Sequence, residues 1–389
     1  MDVPDVAIAG LGMTEMGKVH DRSAAQFGVD AIRLAAADAG MPVAEIDGLL
    51  VNPGISGGID LGIQRALGLR DLGFAAQVQA YGSSAGAMVA QASLAIAAGM
   101  ATAVACVFAD APLKPQASTG AAYADPARRV RPGFAGLAAA GGALGPNAGY
   151  ALAARRHMDT YGTTSEQLGA IAVSTREWAR LNPLAQMRDP ITVADHQNSR
   201  WIVEPLHLLD CCLVSNGGVA VLVTAGPKAR DLRRPAVHVH GWGQGHPGRT
   251  DRAGSDFGLV TGAARSGRAA MRMAGVRPEQ IGVREIYDCY TYTTLVTLED
   301  YGFCAKGEGG ALVADGALGP GGALPTNTGG GQLSGYYMWG MTPLSEAIVQ
   351  ARGQAGPRQV ERNDLVLVSG NGGVLDHHST LVLSPAPRT

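Results

Sequence analysis

Apolar and polar positions along the chain fall into two alternating rhythms. Short apolar runs, VAIAG from Val6, GLLV from Gly48, FAAQVQA from Phe74 and AVACVFA from Ala103, are bounded by turn residues and read as buried strands. Alanine-rich stretches with helical spacing, Ala24 to Ala39 and Ala87 to Gly99, separate them. This order predicts an α/β fold with helices covering a mostly parallel sheet. Residues 112–165 break the rhythm with glycine, alanine and proline-rich loops and read as an insertion over one face, and VAVLVT at Val219 to Thr224 closes the first half.

A charged, proline-bearing connector at Pro227 to Arg234 leads to a second series. It comprises the strand VHVHGWGQG, a helix over Gly258 to Ala274, the strand VREIYDCY and a further helix. The plan repeats: YGSSAG precedes a helix and then AVACVFA, while NTGGGQLSG precedes TPLSEAIVQARG and then DLVLVSG. Two copies of one unit are therefore expected, 1–235 with the insertion and 236–389, with a site where loops from both meet at strand ends. GLGMTEMG spaces its glycines wrongly for a dinucleotide fingerprint and reads as a turn.

Composition narrows the partners. Of 389 residues, 46% are hydrophobic and 16% charged, which favours extensive burial including a subunit interface. The net charge of -2, with no basic block beyond RRVR at Arg128 to Arg131, argues against nucleic acid. Cys106, Cys211, Cys212, Cys289 and Cys304 lack metal-site spacing and fit reduced thiols in a cytoplasm. MDVPDVAIAG carries acids where a signal peptide carries bases, so export is not expected. The apolar window from Ala90 breaks at Gly99-Met100 and reads as a buried helix followed by a buried strand, not a membrane span.

Candidate chemistry gathers in a few places. Gly82-Ser83-Ser84-Ala85-Gly86 fits the G-x-S-x-G turn that presents a serine nucleophile, with Asp364 and His378 as conceivable partners; small residues at a close helix start are the plainer reading. Three polar clusters sit at predicted strand ends: EIYDCYTYTT at Glu285 to Thr294, NTGGGQLSGYYMWG at Asn327 to Gly340, and SGNGGVLDHHST at Ser369 to Thr380. Adjacent residues in a strand face opposite ways, so only one of His377 and His378 should enter a site.

These clusters, with PLHLLDCCLVSNGGVAVLVTA at Pro205 to Ala225 and GYALAARRHMDTYGTTSEQLGAIAVSTREWARLNPLA at Gly149 to Ala185, make the chain resemble the thiolase superfamily, in its sterol-carrier-protein-X-like lipid-transfer branch. The resemblance implies a thiolase fold, two similar βαβαβαββ halves in α-β-α-β-α layers. It also exposes departures. Tyr81-Gly82-Ser83 stands where a thiolase carries its cysteine at the helix start, the histidine of the GHP motif falls on Tyr337, the second catalytic loop falls on Tyr287-Asp288, and the late cysteine becomes Ser369. A covalent acyl-enzyme is thereby dismantled.

Two tyrosines without cysteines resemble the thiolase-fold aldolases of bacterial steroid side-chain degradation. That likeness implies a retro-aldolase acting on a 17-hydroxy steroid β-hydroxyacyl-CoA and releasing a 17-ketone and propionyl-CoA. It implies no cofactor in this chain beyond the CoA thioester substrate. It also implies a small zinc-ribbon/OB-fold acyl-CoA-binding partner, which would hold any zinc, in an α2β2 assembly around a homodimer. In this reading Tyr287 and Tyr337 are acid and base and His378 eases phenolate formation. Asp288, Tyr290, Tyr336 and Ser83 neighbour the substrate, and the turns at Gly330-Gly331 and Gly372-Gly373 offer backbone N–H groups to the enolate. A one-residue slip would exchange Tyr336 with Tyr337. The alternatives are a thiolase-like acyltransferase using Ser83 or Ser84, and a non-catalytic acyl-CoA- or lipid-binding subunit.

Overall fold

The structure is a computed structural model that describes residues 5–123, 136–143, 145–248 and 257–388. The RRVR stretch and part of the expected insertion lie outside these residues. In chain order the main elements are β1 (Val6–Met13), α1 (Ala24–Ala39), β2 (Gly48–Asn52), β3 (Phe74–Gln77), α2 (Ser84–Ala97) and β4 (Ala103–Asp110). The helices α3 (Pro146–Tyr161) and α4 (Ser165–Arg180) follow, and then β5 (Gly217–Ala225), β6 (Val237–Gly245) and α5 (Ala263–Ala274). The chain closes with β7 (Val283–Glu285), α6 (Thr291–Asp300), α7 (Met341–Ala351), β8 (Val366–Gly372) and β9 (His377–Ser384).

Nine strands form one sheet in the order β3-β2-β4-β5-β1-β6-β9-β8-β7. The order β2-β4-β5-β1 on one side is mirrored by β7-β8-β9-β6 on the other, with the same parallel and antiparallel pairings. The two sides join where β1 and β6 pair at Ala7 with His238 and Ile8 with Val237. The expectation of a mostly parallel sheet is corrected: only β2/β3, β2/β4 and β7/β8 run parallel. The reason is connectivity, since the short turn between β8 and β9 can only return the chain antiparallel. GLGM is likewise strand and not turn, because β1 continues to Met13 in register with Val219.

The layers run α-β-α-β-α. Among the strands, helix α1 packs chiefly on β1, β4 and β5, and α5 on β6 and β9, so each covers one half. Glycines on the first strand of each half let these helices sit close: a Cβ at Gly12 would lie 2.0 Å from the Ala31 carbonyl, and one at Gly243 would lie 2.1 Å from that of Ser266. Helices α2 and α7 touch strands of both halves and form the middle layer. Helix α2 is accordingly buried on most of its circumference, from Ser84 to Ala95, which is why its sequence is apolar all round. The Ala90 apolar window divides into α2 and β4, and no helix of the described residues is long and apolar enough to cross a membrane. Sequence patterning extended β7 as far as Tyr290, but the chain leaves the sheet at Ile286, whose N–H is taken by the Asn327 side chain at 2.7 Å.

Candidate active site

Tyr287 follows β7, and Tyr337 follows the wide π turn Gly331–Gly335 that precedes α7. Their hydroxyls meet at 3.4 Å. Tyr287 is 4% exposed, and its ring lies over the backbone of Gly82 at the start of α2, where a Cβ would stand 2.2 Å from two ring carbons. Tyr337 is held at its backbone, its N–H donating to the Ser215 hydroxyl at 3.1 Å. The neighbouring Tyr336 points away, its hydroxyl paired with Ser345 at 2.6 Å beside α7. The phenol that faces Tyr287 is thus that of Tyr337.

Burial pushes both hydroxyls well above the ordinary tyrosine range. Negative charge on Cys289 would raise Tyr287 further, against the lowering bond from Tyr337; Tyr287, Cys212 and Tyr123 act the same way on Tyr337. Both phenols are therefore neutral near neutral pH. The pair holds its protons tightly, so it can protonate only a strongly basic centre such as an enolate carbon and is ill suited to take a proton unaided.

Asp288 does not face the phenols' contact as a ligand. Its carboxylate accepts from the N–H groups of Gln332 at 2.8 Å and Leu333 at 3.4 Å, tying down the π turn, and burial pushes its pKa up to about 7. Gly331, at φ +53°, must be glycine because a Cβ would stand 2.0 Å from that carboxylate. Behind this turn Glu285 and Glu346 share the Thr328 hydroxyl, and Arg358 grips Glu346 with two bonds of 2.9 and 3.1 Å. Gly330, at φ +90°, gives its own N–H to the Asn327 carbonyl, so that donor is already engaged within the turn.

The remaining sequence-derived candidates scatter around this centre. Tyr290 donates to Asn147 and packs on Tyr150 with ring centroids 4.5 Å apart. Gly372 abuts Ala80, Tyr81 and the Gly82 N–H side of the α2 start, and Gly373 lies in the β8–β9 turn at φ +64° near the Tyr81 ring. Ser83 donates to the Ala80 carbonyl at 2.9 Å, and the Ser84 hydroxyl accepts the Ala80 N–H at 2.8 Å. Both hydroxyls are engaged by the Ala80 backbone ahead of the helix, and neither is poised as a nucleophile. His378 is buried opposite Asn371 on β9 with its Cβ toward Gly262. His377 faces the other way, stacked 6.0 Å from Tyr81.

Several residues at the site escaped the sequence reading. Asn371 donates to the Tyr150 hydroxyl at 3.0 Å, and Cys212 donates its backbone N–H to the Cys289 carbonyl at 3.0 Å beside the phenols. Tyr150 and Cys212 lay inside stretches already singled out, but nothing in their local pattern distinguishes them from core. Among the described residues no group of three or more His, Cys, Asp or Glu side chains could hold a metal ion.

Comparison with known proteins agrees with this architecture. Residues 243–385 match the family described as thiolase C-terminal domain-like. A steroid side-chain-cleaving aldolase of Thermomonospora curvata is 37% identical over 94% of this chain and 95% of its own. The 17-hydroxy-3-oxo-4-pregnene-20-carboxyl-CoA lyase of Mycobacterium tuberculosis is 35% identical over 95% and 96%. The solved structure of the Ltp2-ChsH2(DUF35) aldolase superposes with a TM-score of 0.87 at 36% identity, covering 98% of both chains. On this likeness over almost the whole of its length, the chain belongs to the thiolase-fold family of the steroid side-chain-cleaving aldolases.

Proposed function

We propose that this chain is a carbon–carbon lyase that splits a steroid β-hydroxyacyl-CoA, its hydroxyl on the tertiary C17, into a 17-ketone and propionyl-CoA by retro-aldol cleavage. The observation that carries the reading is the Tyr287–Tyr337 contact of 3.4 Å at the meeting of loops from both halves. Retro-aldol cleavage removes the β-hydroxyl proton as the ketone forms, sends the bonding electrons into a thioester enolate, and protonates the α-carbon. Two apposed phenols on either side of that bond serve these two transfers, and no thiol is needed. Names borne by full-length relatives point to the same substrate class. His378 has no step in this reading, and Asp288 acts by holding the π turn.

An acyltransferase reading needs a free nucleophile, and the bonds of Ser83 and Ser84 to Ala80 speak against one. We further propose that the chain works in the cytoplasm as a homodimer with a DUF35-type partner, a small zinc-ribbon/OB-fold protein that carries the CoA moiety, in an α2β2 assembly. The likeness over 98% of both chains to the Ltp2-ChsH2(DUF35) aldolase supports the DUF35-type partner. The test is to supply 17-hydroxy-3-oxo-4-pregnene-20-carboxyl-CoA, with and without such a partner, and follow propionyl-CoA and ketone by mass spectrometry. Cleavage that Tyr337→Phe lowers by at least about 100-fold supports the assignment. Substrate recovered intact with the partner present, or cleaved equally well by the variant, overturns it.

A further inference from the structure

We propose that His246 and His377 form a surface chelate for a divalent transition cation, of the Cu2+ or Ni2+ class, at the end of the β6–β9 ladder. The pair is separate from the two phenols, and its loading can be followed without any substrate.

Sheet register brings the two imidazoles together. His378 pairs with Gly245 across the antiparallel β6–β9 ladder, so His377 and His246 are the next facing pair, just past the end of β6. Their Nδ1 atoms lie 3.0 Å apart. Each ring is also held by a second group. His246 Nε2 meets the Gln244 side-chain oxygen at 2.9 Å, and because that oxygen only accepts, the proton sits on Nε2 and Nδ1 turns its lone pair toward His377. His377 stacks on Tyr81 with 21° between the ring planes. An imidazole whose far nitrogen donates to a fixed oxygen is the arrangement that orients metal-binding histidines. As a hydrogen bond alone the contact would add little, since water competes for both rings at an exposed position.

The spacing selects the cation. With metal–nitrogen bonds of about 2.0–2.1 Å, two ligands at a right angle stand about 2.9 Å apart, and two at the tetrahedral angle about 3.4 Å. The observed 3.0 Å fits neighbouring corners of a square-planar or tetragonal site, the geometry of Cu2+ and Ni2+, better than the tetrahedral preference of Zn2+. Burial lowers the pKa of His246, helped by charge on His377 and Arg265, so the ring is neutral near neutral pH and keeps the lone pair a metal needs. Arg265 also repels a cation, and two protein ligands are fewer than a permanent site uses. The site is therefore one that loads and empties with metal supply. Loading replaces the hydrogen bond: the proton on His377 Nδ1 moves to Nε2 by exchange with solvent, both Nδ1 lone pairs go to the cation, and water fills the remaining positions. No electron is transferred.

The test uses the full chain without a histidine tag, stripped with a chelator and titrated calorimetrically with CuCl2, NiCl2 and ZnCl2 near neutral pH. The expected result is one Cu2+ bound at this pair, an electron paramagnetic resonance spectrum carrying two imidazole nitrogens, and a melting temperature that rises with Cu2+ and returns with EDTA. His246→Ala and His377→Ala should each weaken Cu2+ binding by at least about 100-fold, and Gln244→Ala, which keeps both ligands but frees one ring, by about 10-fold. His246 is exposed and His377 half-buried, and metal-free melting temperatures check that the variants fold. If His377→Ala does not fold, the exposed His246 and Gln244 variants decide. Copper that binds both histidine variants as tightly as wild type, or a wild type that binds none saturably, would overturn the site. Zn2+ held at this pair as tightly as Cu2+ would overturn the choice of cation.

Discussion

Replacing Gly82 by alanine adds one methyl group where the structure has the least room for it. A Cβ there would stand 2.2 Å from two carbons of the Tyr287 ring and 2.3 Å from the Asn371 carbonyl. Carbon atoms settle near 3.5 Å, so the ring must retreat by about 1.3 Å. Asn371 lies in β8 and the Gly82 turn opens the buried helix α2, so the aromatic ring is the part that yields. Overpacking of this kind costs about 1–3 kcal/mol of stability. A displacement of about 1 Å at a reacting group costs about 100-fold in rate. Gly82→Ala is therefore expected to fold, melt several degrees lower, and lose about two orders of magnitude in kcat for cleavage of the steroid acyl-CoA. A variant with wild-type turnover would mean that the Tyr287 ring position does not matter to the chemistry, and the two-phenol reasoning would fall with it.

Three further outcomes separate chemistry from scaffolding. Tyr336→Phe loses only its bond to Ser345, so stability should fall by about 1 kcal/mol while turnover, measured in the same assay as Tyr337→Phe, stays within a few-fold. Asp288 has a folded pKa pushed up to about 7, above its unfolded value, so its contribution to stability is full below pH 4 and is lost as pH rises through 7. At about 1.4 kcal/mol per unit this is on the order of 4 kcal/mol, and Asp288→Asn should flatten the fall in denaturant-measured stability between pH 5 and 8. Arg358→Ala strands the Glu346 carboxylate in the core and should destabilise by about 3–5 kcal/mol in urea unfolding, which a variant within 1 kcal/mol of wild type would contradict.

The sequence pattern was informative where burial is one-dimensional. Strand runs such as AVACVFA and the helix Ala24 to Ala39 stand where periodicity put them, because each buries a face against a fixed neighbour. Strand direction was not legible: whether β4 meets β5 parallel or antiparallel depends on how the chain returns from residues 111–216, which no local signal encodes. At the site, Tyr287 and Tyr337 could be named only through the resemblance, since they fall where the catalytic loops of a thiolase align; their local pattern alone reads as core. The orientation of Asp288 could not, since whether its carboxylate meets substrate or the Gln332 N–H is settled by the π turn folding back over it.

The start of α2 shows how a scaffold that resembles a thiolase can lose its thiol and still hold its reaction centre in place. A nucleophile at this position would have to project toward the phenols, whereas Tyr81, at φ +52° and 41% exposed, turns its ring outward against His377 and Trp339. A non-glycine residue in that conformation carries a strain of about 1–3 kcal/mol that its surroundings must offset. What the twist achieves is to present the bare backbone of Gly82 as a shelf for the Tyr287 ring. In the two-phenol proposal chemistry and shelf exchange places: the helix start supplies shape, and the two loops of the second half supply the reacting groups. Relaxing the twist with Tyr81→Gly, which accepts positive φ without cost, should then raise stability or leave it unchanged and preserve turnover, because Gly82 remains the shelf. If Tyr81→Gly instead abolishes cleavage with the fold intact, the exposed ring itself takes part in the reaction and the helix start is more than a shelf.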